Sequence, residues 1–158
     1  MWSLALSREG FDGVQHGVDR PATQVLQRKL RGLDKYRLRC LQAGAVSTGK
    51  RLFRAGLIDC PNCQLCNTGA VETMAHLADD CPALDHVRYR ELRPTAWHTL
   101  TDALRLHGIF SQAQLPPGSE YDHADWQKDL TARVQYTLLD MLAFRQEAFP
   151  DSLPRPRW

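Results

Sequence analysis

Four of the five cysteines fall between positions 60 and 81: Cys60, Cys63, Cys66 and Cys81. With His76 they spell C-x2-C-x2-C-x9-H-x4-C. A C-x2-C pair sets two thiolates on one tight turn, from which both reach a tetrahedral ion at about 2.3 Å. Thiolates joined by one imidazole are soft ligands, and they select zinc over the harder divalent ions. The second pair, His76 and Cys81, is five residues apart, the wrong spacing for two ligands on one continuous helix face. It works if a helix ends near residues 79–80 and the chain turns to bring Cys81 back. Pro82 fits such an ending, because the residue before a proline is biased away from helix.

Five candidates compete for four places. We take Cys63, Cys66, His76 and Cys81 as the ligand set and leave Cys60 out. His86 remains a competitor, since Cys81-x4-His86 is also a legal second pair. A closed set of four protein ligands is structural, with no open position for an activated water. The other chemistry open to these thiols is disulfide formation, which needs an oxidising compartment, and nothing in the sequence points to export. Cys40 falls on the apolar side of a helical pattern and reads as a core residue.

The elements that must hold these ligands read as helices. Pro21 suits a first helical position, and Val25, Leu26, Leu30, Leu33, Tyr36, Cys40 and Leu41 follow at helical spacing. Gly32 weakens that helix without forbidding it. After a break at 44–49, residues 50–57 read as a short helix with Leu52 and Phe53 inward. Residues 59–69 are turn-like, and a short helix covers 71–78. Pro82 opens another, running to about Arg93. Thr95 is placed to cap a helix carrying Trp97, Leu100, Leu104 and His107. A loop at 111–123 contains the breaker Pro116-Pro117-Gly118. The longest helix comes last, with Trp126, Leu130, Val134, Leu138, Met141 and Leu142 in one apolar stripe. No segment alternates with period two for long enough to predict a strand. The fold class is therefore mainly α: a small helical domain with an embedded zinc-stabilised CCHC module. Residues 1–19 read as loosely ordered and 20–93 as basic helices plus the metal module. Helices in 94–149 should pack on it, ahead of a disordered tail at 150–158.

At 158 residues the chain has room for one domain, or one domain plus a small metal-held module. An apolar fraction of 43% with 24% charged residues disfavours wholesale disorder. No apolar run approaches the roughly 18–20 residues that span a bilayer, and the start lacks the basic region of a secretory signal. The net charge of +2 hides an uneven distribution. Residues 20–54 hold ten Lys/Arg against Asp34 alone, while both flanks are net acidic. Within that block Arg28, Arg31, Lys35 and Arg39 recur at helical spacing, with Lys50, Arg51 and Arg54 nearby. A basic block on an acidic chain suits an anionic partner, and it also suits a plain solvated helix face.

The CxxC of Cys63 and Cys66, then Glu72-Thr73, then His76-x4-Cys81-Pro82, then Arg88, resembles the zinc-binding domain in the C-terminal part of non-LTR retrotransposon reverse transcriptases. The preceding LRCLQAGAVSTGKRLFRAGL is similar to that family's leading helix, Gly-containing turn and short helix. The resemblance covers about residues 25–92. It implies a non-catalytic, zinc-stabilised helical module that assists nucleic-acid handling by a larger polyprotein. It also implies an intracellular, nuclear setting and other retroelement domains as partners. The polymerase itself is absent, because a nearly strandless chain of this length cannot hold a polymerase palm. Cys60 is an extra candidate ligand outside the family's pattern.

Other signals carry less. Gly44 to Arg51 nearly spells a phosphate-binding loop, but Arg51 stands where a hydroxyl should be and no strand precedes it. A helix break with a Ser47 cap accounts for the segment. Asp79 and Asp80 are adjacent and point apart on a helix, so they do not converge on an ion. His16, His98, His107 and His123 form no ligand-like pair. Three functions then compete: a nucleic-acid-binding zinc module contacting RNA or DNA phosphates without reading bases, a zinc-stabilised protein-interaction domain, and an enzyme. The last is weakest, since no nucleophile–base or paired-carboxylate arrangement is legible.

Overall fold

The computed structural model describes residues 10–114 and 124–148. The expectations for the breaker at 116–118 and for the tail at 150–158 lie outside these residues. The described chain is mainly helical, and its only extended pairing is two isolated bridges, Val18 with Ser111 and Asn62 with Val71. The helices are α1 (Arg20–Thr23), α2 (Gly32–Gln42), α3 (Gly49–Arg54), α4 (Asp85–Arg88), α5 (Pro94–His98), α6 (Asp102–His107) and α7 (Ala124–Ala148). None of them is long and apolar enough to cross a membrane.

The last helix, α7, is the axis of the molecule. Its Val134, Leu138, Met141 and Leu142 are buried, as the stripe predicts. Around them pack α1, α2, α4, α6 and the turn at 76–80. The core so formed joins Leu26, Leu38 and Leu41 with Leu77, Leu84 and the indole of Trp97. Trp126 departs from the expected stripe: it is 43% exposed and meets Phe110 edge-on. Gln135 is a buried polar residue within α7. Its amide donates to the carbonyls of Thr23 and Gly108, both at 2.8 Å, and so ties α1 and the end of α6 to the axis.

The single long helix expected from Pro21 to Leu41 is broken. Residues 24–29 form turns, and Gly32 takes φ +57°, a left-handed conformation through which a right-handed helix cannot run. Helix α3 buries Leu52, but Phe53 is 46% exposed, because a helix of six residues offers only one narrow face inward. The helix expected behind a Thr95 cap starts instead at Pro94, with Arg93 at its N-cap position, and it divides at Thr99 into α5 and α6. The extended Thr101 starts α6, and the Leu100 carbonyl freed at the break accepts from Arg105. Residues 10–19, read as loosely ordered, are packed. Phe11 lies flat on His107 with ring centroids 4.1 Å apart, and Val14 is buried. Glycines 10, 13 and 17 take positive φ, which lets the segment turn tightly against α6.

Candidate metal centre

The first two ligands sit on a knuckle. The chain pairs with itself around it: Cys63 N–H donates to the Ala70 carbonyl at 2.8 Å, and Glu72 N–H to the Pro61 carbonyl at 2.9 Å. Within the knuckle the backbone N–H groups of Leu65 and Cys66 point at the Cys63 sulfur, and those of Thr68, backbone and hydroxyl, point at the Cys66 sulfur. Such donors favour thiolate.

The second pair comes from a helical turn of unusual pitch. Thr73 opens it, its hydroxyl accepting from His76 N–H at 3.0 Å, as a helix cap does. Residues His76–Asp80 then form a π turn, closed by Cys81 N–H donating to the His76 carbonyl at 2.7 Å. On an α-helix, five positions at about 100° each would leave the two side chains about 140° apart. The wider π turn brings them to one side. The helix does end at Asp80, and Cys81 is extended at ψ 110°.

Buried side chains satisfy the carbonyls around this turn. Arg88, only 1% exposed, donates through Nη2 to the carbonyls of Leu77 and Cys81, each at 3.0 Å. Trp97 Nε1 donates to the Ala78 carbonyl at 3.0 Å. Asp79 receives Arg105 at 2.8 Å and Trp97 at 3.2 Å. That contact makes Asp79 part of the frame, while Asp80 is exposed.

The outcome is a cluster of four ligand atoms, from Cys63, Cys66, His76 and Cys81, all within 4.8 Å of one another. The Cys63 and Cys81 sulfurs are 3.9 Å apart, and Cys66 Sγ is 3.4 Å from His76 Nε2. For a tetrahedral ion with Zn–S near 2.3 Å and Zn–N near 2.05 Å, those edges come to about 3.8 and about 3.6 Å. The residues therefore fit a tetrahedral metal, and none of the cysteines is in a disulfide. Burial raises the Cys63 thiol and pushes Cys81 up to about 12, the Cys63 sulfur adding to it. Burial also acts on Cys66, but the donors from Thr68 and the His76 ring outweigh it and bring that thiol down to about 6. Cys60 is exposed and outside the cluster, and His86 is turned away, edge-on to Phe144 at 5.0 Å.

The sequence pattern contained Glu72 without explaining it. Its carboxylate is 4% exposed and accepts from Gly49 N–H at 2.7 Å, at the start of α3. Its backbone carbonyl accepts from Lys50 N–H at 3.0 Å. Arg145 of α7 pairs with it, donating Nε to Oε2 at 2.9 Å, and also reaches the Ser47 carbonyl at 3.1 Å. The cap of α3 is thus Glu72, supplied from across the fold; the N-cap position belongs to Thr48 and not to the expected Ser47, and the Thr48 side chain makes no cap bond.

The basic candidates divide. Arg28 lies in the turns before Gly32, and Arg31 precedes α2 with its guanidinium folded back onto the carbonyls of Arg28 and Leu30. Only Lys35 and Arg39 stand on α2, so the four do not form one helical stripe; the break at Gly32 separates them. Lys50, Arg51 and Arg54 share α3, directly beside the metal knuckle. No protein-family model matches the chain, and no curated protein or solved structure matches it either.

Proposed function

We propose that this chain is a non-catalytic, zinc-stabilised helical module that binds RNA or DNA through backbone phosphates. On the resemblance of its ligand pattern, it belongs to or derives from a non-LTR retrotransposon reverse transcriptase polyprotein, with a nuclear site of action. Three cysteine sulfurs and one imidazole gathered within 4.8 Å of one another support a metal, and so soft a donor set suits zinc. The observation that carries the nucleic-acid reading is the concentration of ten basic residues against one acid in 20–54. Within it, the backbone at the start of α3, the helix that carries Lys50, Arg51 and Arg54, is joined to the knuckle through Glu72. Arg28, Arg39 and Arg54 have no acidic partner among the described residues, whereas Arg37 is paired with Asp34. A protein-interaction role is the second reading, favoured by Phe53 at 46% and Leu57 at 63% exposure on and just after α3.

The test is binding of labelled single strands and duplexes across a salt series. Each phosphate contact contributes about 0.7 (single strand) or 0.9 (duplex) to the slope of log K against log salt. Arg51→Ala with Arg54→Ala, and separately Arg31→Ala with Lys35→Ala, should flatten the slope and weaken all sequences about equally. Absence of salt-dependent binding in the wild type would overturn the reading in favour of a protein partner.

A further inference from the structure

A cleft of about 460 Å³ opens between the turn at 43–46, α3 and the entry to the π turn. Its size is within the roughly 300–1,000 Å³ of small-molecule sites. Its floor is apolar: Val46, Met74, Leu106 and the stacked pair of Phe11 and His107. Its rim is cationic, with Lys50, Arg51 and Arg54, and no described residue lining it is acidic. Arg51 and Arg54 are three apart on α3 and therefore neighbours on its surface. Arg51 is held across the mouth by the Gly44 carbonyl, to which its Nη1 donates. Gly44 also lets the Phe11 ring come close: at φ +60° its missing Cβ would stand 2.9 Å from that ring.

An apolar, aromatic-floored slot beneath two guanidinium groups suits a ligand that is flat and apolar at one end and doubly charged at the other. We infer that the cleft binds a nucleoside phosphate, with the base against the Phe11 floor and the phosphate on Arg51 and Arg54. Two sources share this chemistry: a free mononucleotide, and one unstacked nucleotide of a single strand. The second deepens the nucleic-acid reading and rests on it; the first does not.

The chain has three methionines, of which Met74 lines the cleft and Met141 is buried on the inner face of α7. Methyl-labelled methionine in the zinc-loaded full chain therefore gives an internal probe and an internal control. AMP at millimolar concentration should move the Met74 methyl signal and leave Met141 in place. Inorganic phosphate should bind at least about tenfold more weakly than AMP, since a stacked base contributes about that much or more. Arg51→Ala and Arg54→Ala change exposed side chains, so the Met141 signal should stay in place; each should weaken AMP by about tenfold. A Met74 signal that ignores AMP, or phosphate binding as tightly as AMP, would overturn the inference. Oligo-dT run in parallel separates the two ideas. If the strand binds with salt dependence while Met74 is unmoved by strand or AMP, the cleft proposal falls and the nucleic-acid reading stands. If AMP moves Met74 and no strand binds, the cleft is a free-nucleotide site and the nucleic-acid reading falls.

Discussion

The backbone N–H of Cys81 donates to the carbonyl of His76, five residues earlier, at 2.7 Å. That one bond converts an awkward ligand spacing into a usable one, since it widens the last helical turn where an α-helix would have aimed Cys81 elsewhere.

The ligand set follows from it. Replacing Cys63, Cys66 or Cys81 by Ser, or His76 by Ala, should abolish tight zinc binding, while Cys60→Ser and His86→Ala should retain it. Elemental analysis of the purified variants checks this. Structural zinc contributes about 10–16 kcal/mol of apparent binding free energy in small finger peptides. Chelation should therefore erase hydrogen-exchange protection across residues 63–88.

Arg88 should matter to the metal without touching it. Its buried guanidinium holds the carbonyls of Leu77 and Cys81. In Arg88→Met both lose a charged donor, each such bond contributing about 1.5–3 kcal/mol. Urea unfolding of the zinc-loaded variant should show a loss of about 3 kcal/mol or more. Arg88→Lys should recover little of it, because one ammonium cannot reproduce the planar fork.

Gly49 lies against the knuckle. A Cβ there would come within 2.7 Å of the Pro61 carbonyl oxygen and 3.1 Å of Glu72 Cβ. The oxygen belongs to the backbone and cannot swing aside, so Gly49→Ala should destabilise the chain by about 1–3 kcal/mol. Thermal melting should fall by several degrees.

Glu72 and Arg145 are both nearly buried, and removing one strands the other. Glu72→Gln or Arg145→Met alone should cost about 3–5 kcal/mol, and Glu72→Gln with Arg145→Met less than their sum. A double-mutant cycle measures the coupling. Amide exchange at Gly49, bonded to the carboxylate, should quicken in Glu72→Gln more than at Lys50, bonded to the Glu72 backbone carbonyl, which would separate this capping role from a loss spread over the whole fold.

The ligands were legible because a metal knuckle is local: Cys63 and Cys66 are read from spacing alone, and Pro82 marks where the helix stops. The π turn was not, because what holds it open arrives later in the chain, from Arg88 and Trp97. The same holds for Glu72, whose partner Arg145 is 73 positions away. Gly32 was visible as a weakness, but spacing alone could not show that the chain passes through it left-handed. The basic stripe rested on that helix being continuous, so Arg28 and Arg31 parted from Lys35 and Arg39. The apolar stripe of α7 survived because buried positions such as Val134, Leu138 and Met141 recur over many turns of one unbroken helix.

The dependence of the knuckle on α7 also says something about portability. A zinc finger that folds on its own can be shuffled between genes as a cassette. The Cys63–Cys81 ligand cluster cannot be cut out in that way. Leu77 and Leu84 lie in one core with Val134 and Leu138, and the carboxylate that caps α3 is neutralised from the final helix. A chain ending near residue 93 would keep every ligand and lose the wall behind them. The ligand cluster therefore depends on side chains more than fifty residues downstream of its last member.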